Sequence, residues 1–575
     1  MVNKKDVDSV VQRPKRWDQP FCSDMSADDV VRILAAPHFC DMTRSNFPNS
    51  LKLASIIRND CQIRRFVHNQ IIVREGEYVN SAFLVLSGVV AMLPPSDTSS
   101  ESLARISKER PSTFSSVLQW LRRNKLPEVR DSVAGIPSAG SSVGDRLIEH
   151  LSEDVSKNDA DTIRLIDGDI FGESAVLGRS EMTNTVVALC EVEVLEIRWQ
   201  GLRDIRKRES GFKETIDNLY RERGLYYHLM SVPLFSNLST EKIRELASVA
   251  LFEVHGEFEW QKDFQKVSKQ AKTEEDYNRI IESEPVIALE GDYPDGLLLV
   301  RNGFGRISRY INFGHYTMGY LSHGGMFGLE ELYDAWKNGK ATTLHCSFRA
   351  LGYTDVIRIP TDWLEINMFS ENAPETTKVA LKQALMESRP TQLESNTKPV
   401  DRKLTEFLVE NRLINGTASM VIDLERCVRC DDCVSACASA HDNNPRFNRH
   451  GKSFGRYMIA NACMHCEDPV CMIGCPTGAI HRSPEGVVKI TDSACIGCST
   501  CANNCPYDNI RMVEIRDASG NVFAEPNGKP IIKASKCDLC AETSATPACE
   551  RACSHDALKR IDLKDITNLT QWIDR

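Results

Sequence analysis

The 575-residue sequence has no run of 18 or more apolar residues, so no segment is predicted to span a membrane. The N-terminal segment has neither the apolar core of a signal peptide nor a pair of adjacent arginines. We therefore expect the chain to be cytoplasmic. Positive charge is not in excess, because the net charge is −10, and this argues against a nucleic-acid partner.

Motifs for substrate chemistry are also missing. The sequence contains no G-x-G-x-x-G after a predicted strand, no phosphate-binding P-loop and no motif for molybdenum, flavin or nickel. The 13 histidines form no spaced metal motif. We therefore predict no catalytic residue in this chain.

Cysteine is scarce in the first 426 residues, which hold five of the 21 cysteines. The remaining sixteen lie between Cys427 and Cys553. A reducing compartment and an odd total both disfavour a disulfide framework. The sixteen form four quartets: Cys427, Cys430, Cys433 and Cys437; Cys463, Cys466, Cys471 and Cys475; Cys495, Cys498, Cys501 and Cys505; and Cys537, Cys540, Cys549 and Cys553.

The spacing of the quartets predicts iron–sulfur clusters. The first and third quartets read C-x2-C-x2-C-x3-C, in which three thiolates wrap one [4Fe–4S] cluster and the fourth reaches another. Structural zinc sites more often combine two separated pairs of ligands. We predict four [4Fe–4S] clusters, with zinc or a mixed site as the alternative. Spacing alone does not show which cysteines share a cluster.

The region from about Met420 to Leu563 resembles the four-cluster ferredoxin subunits of the dimethyl sulfoxide reductase, formate dehydrogenase and nitrite reductase type. The matching segments are IDLERCVRCDDCVSAC, CMHCEDPVCMIGCPTGAI, CIGCSTCANNCPYDNIRM and KCDLC…PACERAC. The resemblance implies a pseudo-twofold arrangement, in which the first and fourth quartets, and the second and third, exchange their last cysteines. The implied ligand sets are Cys427, Cys430, Cys433 and Cys553 (set 1); Cys537, Cys540, Cys549 and Cys437 (set 2); Cys463, Cys466, Cys471 and Cys505 (set 3); and Cys495, Cys498, Cys501 and Cys475 (set 4).

The N-terminal part of the chain contains an internal repeat. Gly76 and Gly88 in the first copy are 12 residues apart, as are Gly291 and Gly303 in the second. An F-G-E segment follows in the first copy and an F-G-L-E segment in the second. Short apolar runs punctuated by glycine and aspartate predict a β-roll in each copy, with flanking helices.

Both copies resemble the cyclic-nucleotide-binding domain. In that family the F-G-E segment opens a short helix, and this helix and a following arginine hold the cyclic phosphate. Here Met182 stands at the arginine position of the first copy, and Lys340 falls near it in the second. Two interpretations stay open: a nucleotide site, or rolls that only dock or dimerise. The implied pocket residues are Gly172, Glu173, Gly328, Glu330 and Lys340.

The predicted fold class is multidomain, with two β-roll domains and flanking helices followed by an α+β ferredoxin-like domain. The predicted boundaries are a tail over 1–25, a first roll over 26–228 with an insert at about 99–158, a second roll over 229–388 with an insert at about 261–284, a linker and helix over 389–417, the four-cluster domain over 418–565 and a tail over 566–575.

We interpret the chain as an electron-transfer protein or subunit. Its expected partner is a redox protein or a catalytic oxidoreductase subunit, with the rolls as docking, regulatory or homo-oligomerisation modules. The alternative is a redox- or cyclic-nucleotide-responsive regulator in which the clusters sense and the rolls signal. No helix-turn-helix follows either roll, which removes the usual DNA-reading segment of such regulators.

Overall fold

The computed structural model describes residues 25–49, 51–93, 162–178, 181–219, 225–257, 260–270, 274–311, 314–387, 402–441, 445–492, 494–515, 522–524, 528–541, 546–563 and 572. The chain divides into two compact units, one of Met1–Asn218 with Thr417–Ile561 and the other of Leu219–Gly416 with Asp562–Arg575. The predicted insert at about 99–158 and, apart from Met25, the predicted tail over 1–25 lie outside the described residues. None of the helices in these ranges is both long and apolar enough to cross a membrane.

The first roll, residues 25–218, consists of two four-stranded antiparallel sheets and five described helices. The sheet orders are β1-β8-β3-β6 and β2-β7-β4-β5. The strands are β1 (Cys61–Phe66), β2 (Ile71–Val73), β3 (Ser81–Ser87), β4 (Val90–Met92), β5 (Ile163–Leu165), β6 (Ile170–Phe171), β7 (Val186–Ala188) and β8 (Val192–Arg198). The helices are α1 (Ala27–Leu34), α2 (Leu53–Asp60), α3 (Glu173–Gly178), α4 (Trp199–Arg208) and α5 (Ser210–Leu219).

Helices α2 and α4 cover one edge of the first roll. Strand β8 is buried along its whole length because it lies between β1 and β3 and leads directly into α4. A Cβ atom on Gly201 of α4 would lie 2.6 Å from Cβ of Asp60, the last residue of α2. The absence of a side chain at Gly201 therefore lets the two helices approach closely.

The second roll, residues 225–387, repeats the strand order of the first. Its sheets are β9-β16-β11-β14 and β10-β15-β12-β13, so each strand has a counterpart eight strands earlier. The strands are β9 (Leu251–His255), β10 (Val286–Ala288), β11 (Gly296–Asn302), β12 (Gly305–Ile311), β13 (Gly314–Leu321), β14 (Met326–Phe327), β15 (Ser347–Ala350) and β16 (Thr354–Pro360). The helices are α6 (Leu225–Ser231), α7 (Thr240–Val249), α8 (Gln261–Gln270), α9 (Glu274–Ser283), α10 (Leu329–Asn338), α11 (Thr361–Leu364) and α12 (Glu375–Glu387), followed by α13 (Arg402–Glu410).

The C-terminal module, residues 417–561, contains one four-stranded sheet, two hairpins and three short helices. The sheet order is β18-β19-β17-β24, and the hairpins are β20–β21 and β22–β23. The strands are β17 (Ser419–Asp423), β18 (Asn448–Phe454), β19 (Tyr457–Asn461), β20 (Ile480–Arg482), β21 (Val488–Ile490), β22 (Arg511–Glu514), β23 (Ile532–Ser535) and β24 (Leu558–Ile561). The helices are α14 (Asp432–Ala440), α15 (Thr500–Asn504) and α16 (Ala548–Arg551).

The predicted helical insert of the second roll corresponds to α8 and α9. The predicted domain boundaries stay predictions. The contacts, however, group the first roll with the C-terminal module, although the second roll lies between them in the sequence.

Candidate metal centres

The sixteen clustered cysteines are all unbridged thiols. The four members of set 1 line one pocket at the start of the C-terminal module: Cys427, Cys430, Cys433 and Cys553. Cys553 comes from the end of the fourth quartet, so the fold brings a sulfur from the last quartet to the first. This is the exchange that the resemblance implies.

The other three sets also come together across quartets. Burial raises the pKa of the Cys437 thiol, and the nearby thiols of set 2 raise it further. Burial raises the pKa of Cys501 to about 12, and the thiols of set 4, Cys475 included, add to this increase. In set 3, burial raises the pKa of Cys505 and the thiol of Cys463 adds to this increase, while burial and then Cys505 raise the pKa of Cys471. Crowded, buried thiols resist ionisation by themselves, whereas a bound metal favours the thiolate.

Each quartet makes a tight turn just before its second cysteine. The residue at this position is left-handed in all four, with φ of 62° at Arg429, 50° at His465, 66° at Gly497 and 59° at Leu539. A Cβ atom on Gly497 would lie 1.9 Å from the carbonyl oxygen of Ile532, so only glycine fits there. The other three positions carry side chains in a conformation that glycine usually takes, and the sequence therefore gives no signal of these turns.

The last cysteine of three quartets accepts a backbone hydrogen bond at sulfur. The N–H groups of Arg446, Asn509 and Ala557 donate to Cys437, Cys505 and Cys553 over 3.2, 3.4 and 3.3 Å. Each of these cysteines is the one that crosses to another ligand set. Donors to sulfur stabilise thiolate and raise the potential of an iron–sulfur site.

Two cations lie among the thiols, the buried Lys536 and the half-buried Arg560. Arg560 donates to Sγ of Cys537 over 3.1 Å and to the carbonyl oxygen of Cys463 over 3.3 Å. Lys536 donates to the carbonyl oxygens of Cys537 and Val488 over 2.7 and 2.5 Å. Burial raises the pKa of the Glu550 carboxyl and the nearby Arg560 opposes this increase, whereas no described carboxylate forms an ion pair with Lys536. A buried cation is costly unless a negative charge is near, so the position of Lys536 fits sites that carry net negative charge.

The two rolls can be aligned by their hydrogen bonds at the predicted phosphate position. Met182 exchanges two backbone bonds with the 76–77 segment, of 2.8 and 2.9 Å. Leu344 exchanges two bonds of 2.9 and 2.8 Å with the 291–292 segment. Leu344 is therefore the structural counterpart of Met182. Both side chains are buried and apolar, so neither offers the charge that a phosphate requires.

The predicted nucleotide-pocket residues of the two rolls share a backbone conformation at glycine but differ at the following residue. Gly172 and Gly328 both have positive φ, of 78° and 90°. Glu173 is buried, and Leu329 takes its place in the second roll.

The expected register of the second roll differs from the observed one. Lys340 is exposed and lies four residues before Leu344, and Glu330 is half-buried. Helix α10 has ten residues where α3 has six, and this extra turn moves Lys340 away from the equivalent of Met182. Nucleotide binding by these residues stays a prediction.

Comparison with known proteins identifies the C-terminal module. Residues 455–562 match the family described as the 4Fe-4S dicluster domain. The electron transport protein HydN of Escherichia coli (strain K12) is 33% identical over 164 residues, which cover 26% of this chain and 91% of that protein. The chain belongs to the 4Fe–4S dicluster family.

A second dicluster relative is the thiosulfate reductase electron transfer subunit PhsB of Salmonella typhi. It is 30% identical over 171 residues, which cover 27% of this chain and 80% of that protein. The resemblance to this family and its ferredoxin-like fold, expected from the cysteine pattern, are confirmed.

Solved structures resemble the N-terminal part. The regulatory domain of Toxoplasma gondii PKA with cAMP matches 60% of this chain and 91% of its own, at 12% identity and a TM-score of 0.21. A cyclic nucleotide-binding domain from Methylobacillus flagellatus matches 30% and 85%, at 19% identity and a TM-score of 0.21.

The dicluster match includes twelve of the sixteen cysteines, from Cys463 to Cys553. The first quartet precedes it, yet its Cys427 and Cys437 lie among the thiols of the matched region. The module therefore offers [4Fe–4S] ligands of the dicluster kind, with converging thiols, donors to sulfur and nearby cations.

Proposed function

We propose that the chain relays single electrons through four [4Fe–4S] clusters to or from a partner oxidoreductase subunit. When bound, each cluster accepts and releases one electron at a time. The observation that carries this proposal is the convergence of sixteen thiols into four sets of four, with each set taking one cysteine from another quartet.

The surroundings of the four sets support a linear order. The exposed cysteines are Cys430 of set 1 and Cys498 of set 4, whereas no cysteine of sets 2 and 3 is exposed. Arg560 contacts Cys537 of set 2 and Cys463 of set 3, and so lies between them. One apolar cluster joins sets 1 and 2 and another joins sets 3 and 4. The order is therefore 1, 2, 3, 4, with exchange of electrons at the two exposed ends.

The charge of the C-terminal region bears on the partner. Residues 418–575 contain 18 Lys and Arg against 20 Asp and Glu, and four clusters with four thiolates each would add roughly −2 apiece. We propose that the partner presents a positive docking surface. The names of the relatives, an electron transport protein and a reductase electron transfer subunit, agree with this role.

We propose that the rolls dock or regulate without a cyclic phosphate. The buried Met182 and Leu344 occupy the two positions where the family has arginine, and neither side chain carries a charge.

Metal analysis of anaerobically purified protein tests the proposal. We expect about sixteen irons and as many sulfides per chain. Cys437→Ser removes the exchanged ligand of set 2, and we expect it to lose about four of these irons. Cys346→Ser, a buried thiol of the second roll, is the matched control and keeps the full iron content. Wild-type protein with far fewer than sixteen irons would contradict the count of four.

A further inference from the structure

Two arginines connect the first roll to the C-terminal module. The first is Arg198, the last residue of β8, whose buried side chain pairs with Asp60 of α2. Its guanidinium also donates to the carbonyl oxygens of Thr477 and, over 3.5 Å, Pro476. These two carbonyls directly follow Cys475, the thiol that set 4 takes from the second quartet. A charge fixed within the roll therefore holds the backbone of a ligand loop.

The second arginine is Arg482, the last residue of β20 in the C-terminal module. Its guanidinium donates to the carbonyl oxygens of Cys466, a member of set 3, and Glu467. The same guanidinium lies 4.3 Å from the ring centroid of Tyr78 in the first roll. A stacked and largely buried arginine is held in one orientation. Tyr78 therefore restrains the side chain that supports the Cys466 loop.

The backbone of Arg482 is held by the same roll. The side chain of Asn80 donates to the Arg482 carbonyl oxygen over 2.6 Å and accepts from its N–H over 3.2 Å. The N–H of Tyr78 donates to the carbonyl oxygen of Pro484 over 3.2 Å. The β20–β21 hairpin is thus fixed to the roll at both its strand and its turn.

Two glycines of the C-terminal module make room for these side chains. A Cβ atom on Gly478 would lie 2.5 Å from Nη1 of Arg198, and one on Gly486 would lie 2.9 Å from Cε2 of Tyr78. Both glycines have positive φ. The module is therefore shaped to receive the roll.

We propose that the first roll is a positioning element for cluster sets 3 and 4. Through Arg198, Tyr78 and Asn80 it fixes the loops that carry Cys475 and Cys466 and keeps water from them. This inference rests on the proposed function, since it assigns the roll a role in setting the properties of two of the four clusters. Solvent access and hydrogen bonding at the ligand loops are what the protein uses to tune such sites.

Hydrogen exchange and redox titration of the full-length chain test this proposal. Tyr78→Ala and Asn80→Ala remove the restraints on Arg482. We expect amides within 476–486 to exchange at least tenfold faster and the midpoint potential of the cluster in set 3, whose Cys466 loop Arg482 holds, to rise, because admitted water stabilises the added negative charge. Tyr293→Ala, at the equivalent position of the second roll, is the control, because Tyr293 is 67% exposed. It should change neither measurement.

A glycine pair provides a second test that leaves the roll unchanged. Gly486→Ala adds both backbone strain and a clash with Tyr78, whereas Gly455→Ala adds a similar strain with no atom within 4 Å. We expect only Gly486→Ala to accelerate exchange in 476–486. Unchanged exchange and potentials in Tyr78→Ala, Asn80→Ala and Gly486→Ala would overturn the proposal.

Different results would contradict the electron-relay proposal and the positioning proposal. Low iron in the wild-type protein contradicts the electron-relay proposal, whereas the exchange measurement reports on the loops in either case. Normal iron with unchanged exchange and four unaltered potentials in every interface variant contradicts only the positioning proposal.

Discussion

The two rolls share one strand order but differ in what the residues at three equivalent positions contact. In each roll, a tyrosine and a polar residue follow the first glycine of the repeat, Gly76 or Gly291, and the last residue of the final strand precedes a helix. These pairs are Tyr78 and Tyr293, Asn80 and Asp295, and Arg198 and Pro360. In the first roll all three contact the C-terminal module, whereas Tyr293 and the Asp295 side chain are largely exposed.

This difference shows that a few residues of the first roll account for its contacts with the C-terminal module. The sheets supply a frame that both rolls share, and in the first roll a few side chains at one edge make the contacts with the C-terminal module. Proline at position 360 has no side-chain donor, so it cannot reach a carbonyl as Arg198 does. The phosphate position, in contrast, is apolar in both rolls and does not distinguish them.

Removal of iron is expected to produce the largest difference in stability between the units that contain the two rolls. Ligand sets of crowded, buried thiols are stable only with metal, so the unit that contains the first roll should lose more than about 5 kcal/mol of stability. The unit that contains the second roll should keep its own unfolding transition. Calorimetry of anaerobic holoprotein and chelated protein measures both. A matched loss in the two transitions would contradict the division of roles.

Breaking the buried ion pair of each roll should give the next largest effect. Arg198 and Asp60 have side chains 5% and 1% exposed, and Arg306 and Glu284 of the second roll are 2% and 5% exposed. We expect Arg198→Met and Arg306→Met each to cost about 3–5 kcal/mol, because each removes the cationic partner of a buried ion pair.

Chemical unfolding with iron content as a second readout separates the two variants. Arg198→Met should lower the first unit's transition and disturb sets 3 and 4, whereas Arg306→Met should leave the iron content unchanged. Loss of iron in Arg306→Met would show that the second roll also supports the clusters.

A pH effect specific to the second unit should be smaller. Burial, with help from His323 and Arg301, lowers the pKa of His228 to about 3. The unfolded chain binds a proton near pH 6.5 that the folded unit does not accept until about pH 3. Stability therefore falls as pH drops through this window, by about 1.4 kcal/mol per pH unit.

His228→Gln should flatten this dependence in the second unit. His68→Gln, which changes an exposed histidine of the first roll, is the control and should leave the acid sensitivity of the second unit unchanged. Thermal melts between pH 7 and pH 4 measure the slope. An unaltered slope in His228→Gln would assign the effect to other groups.

The smallest expected effect is that of a cyclic nucleotide. With Met182 and Leu344 at the phosphate positions, saturating cAMP or cGMP should shift the melting temperature of neither unit. A shift in either unit would contradict this expectation and would show that the roll binds the nucleotide without an arginine at that position.

Much of the cluster site could be predicted because its information is local. Quartet spacing is set by the geometry of one cluster, so sixteen cysteines and the family were recognisable without a structure. The repeat was also recognisable, since Gly76 and Gly291 mark the same turn in both rolls.

Two features could not be predicted, for different physical reasons. The register after Gly328 depends on the length of α10, and the polar residues between the end of that helix and Leu344 leave no landmark that fixes it. The contact between Arg198 and Thr477 joins residues 279 positions apart, and neither residue belongs to a periodic pattern. Long-range side-chain contacts of this kind follow from tertiary structure alone.

The separation of Arg198 and Thr477 in the sequence also means that the two residues are synthesised at different times. At ribosomal rates of 5–20 residues per second, roughly 14 to 56 s pass between the emergence of Arg198 and that of Thr477. The whole second roll is made in this interval. Tyr78 and Asn80 of the first roll therefore stay uncovered until the β20–β21 hairpin leaves the ribosome. During this interval, the edge of the roll that contains them is open to chaperones that bind nascent chains.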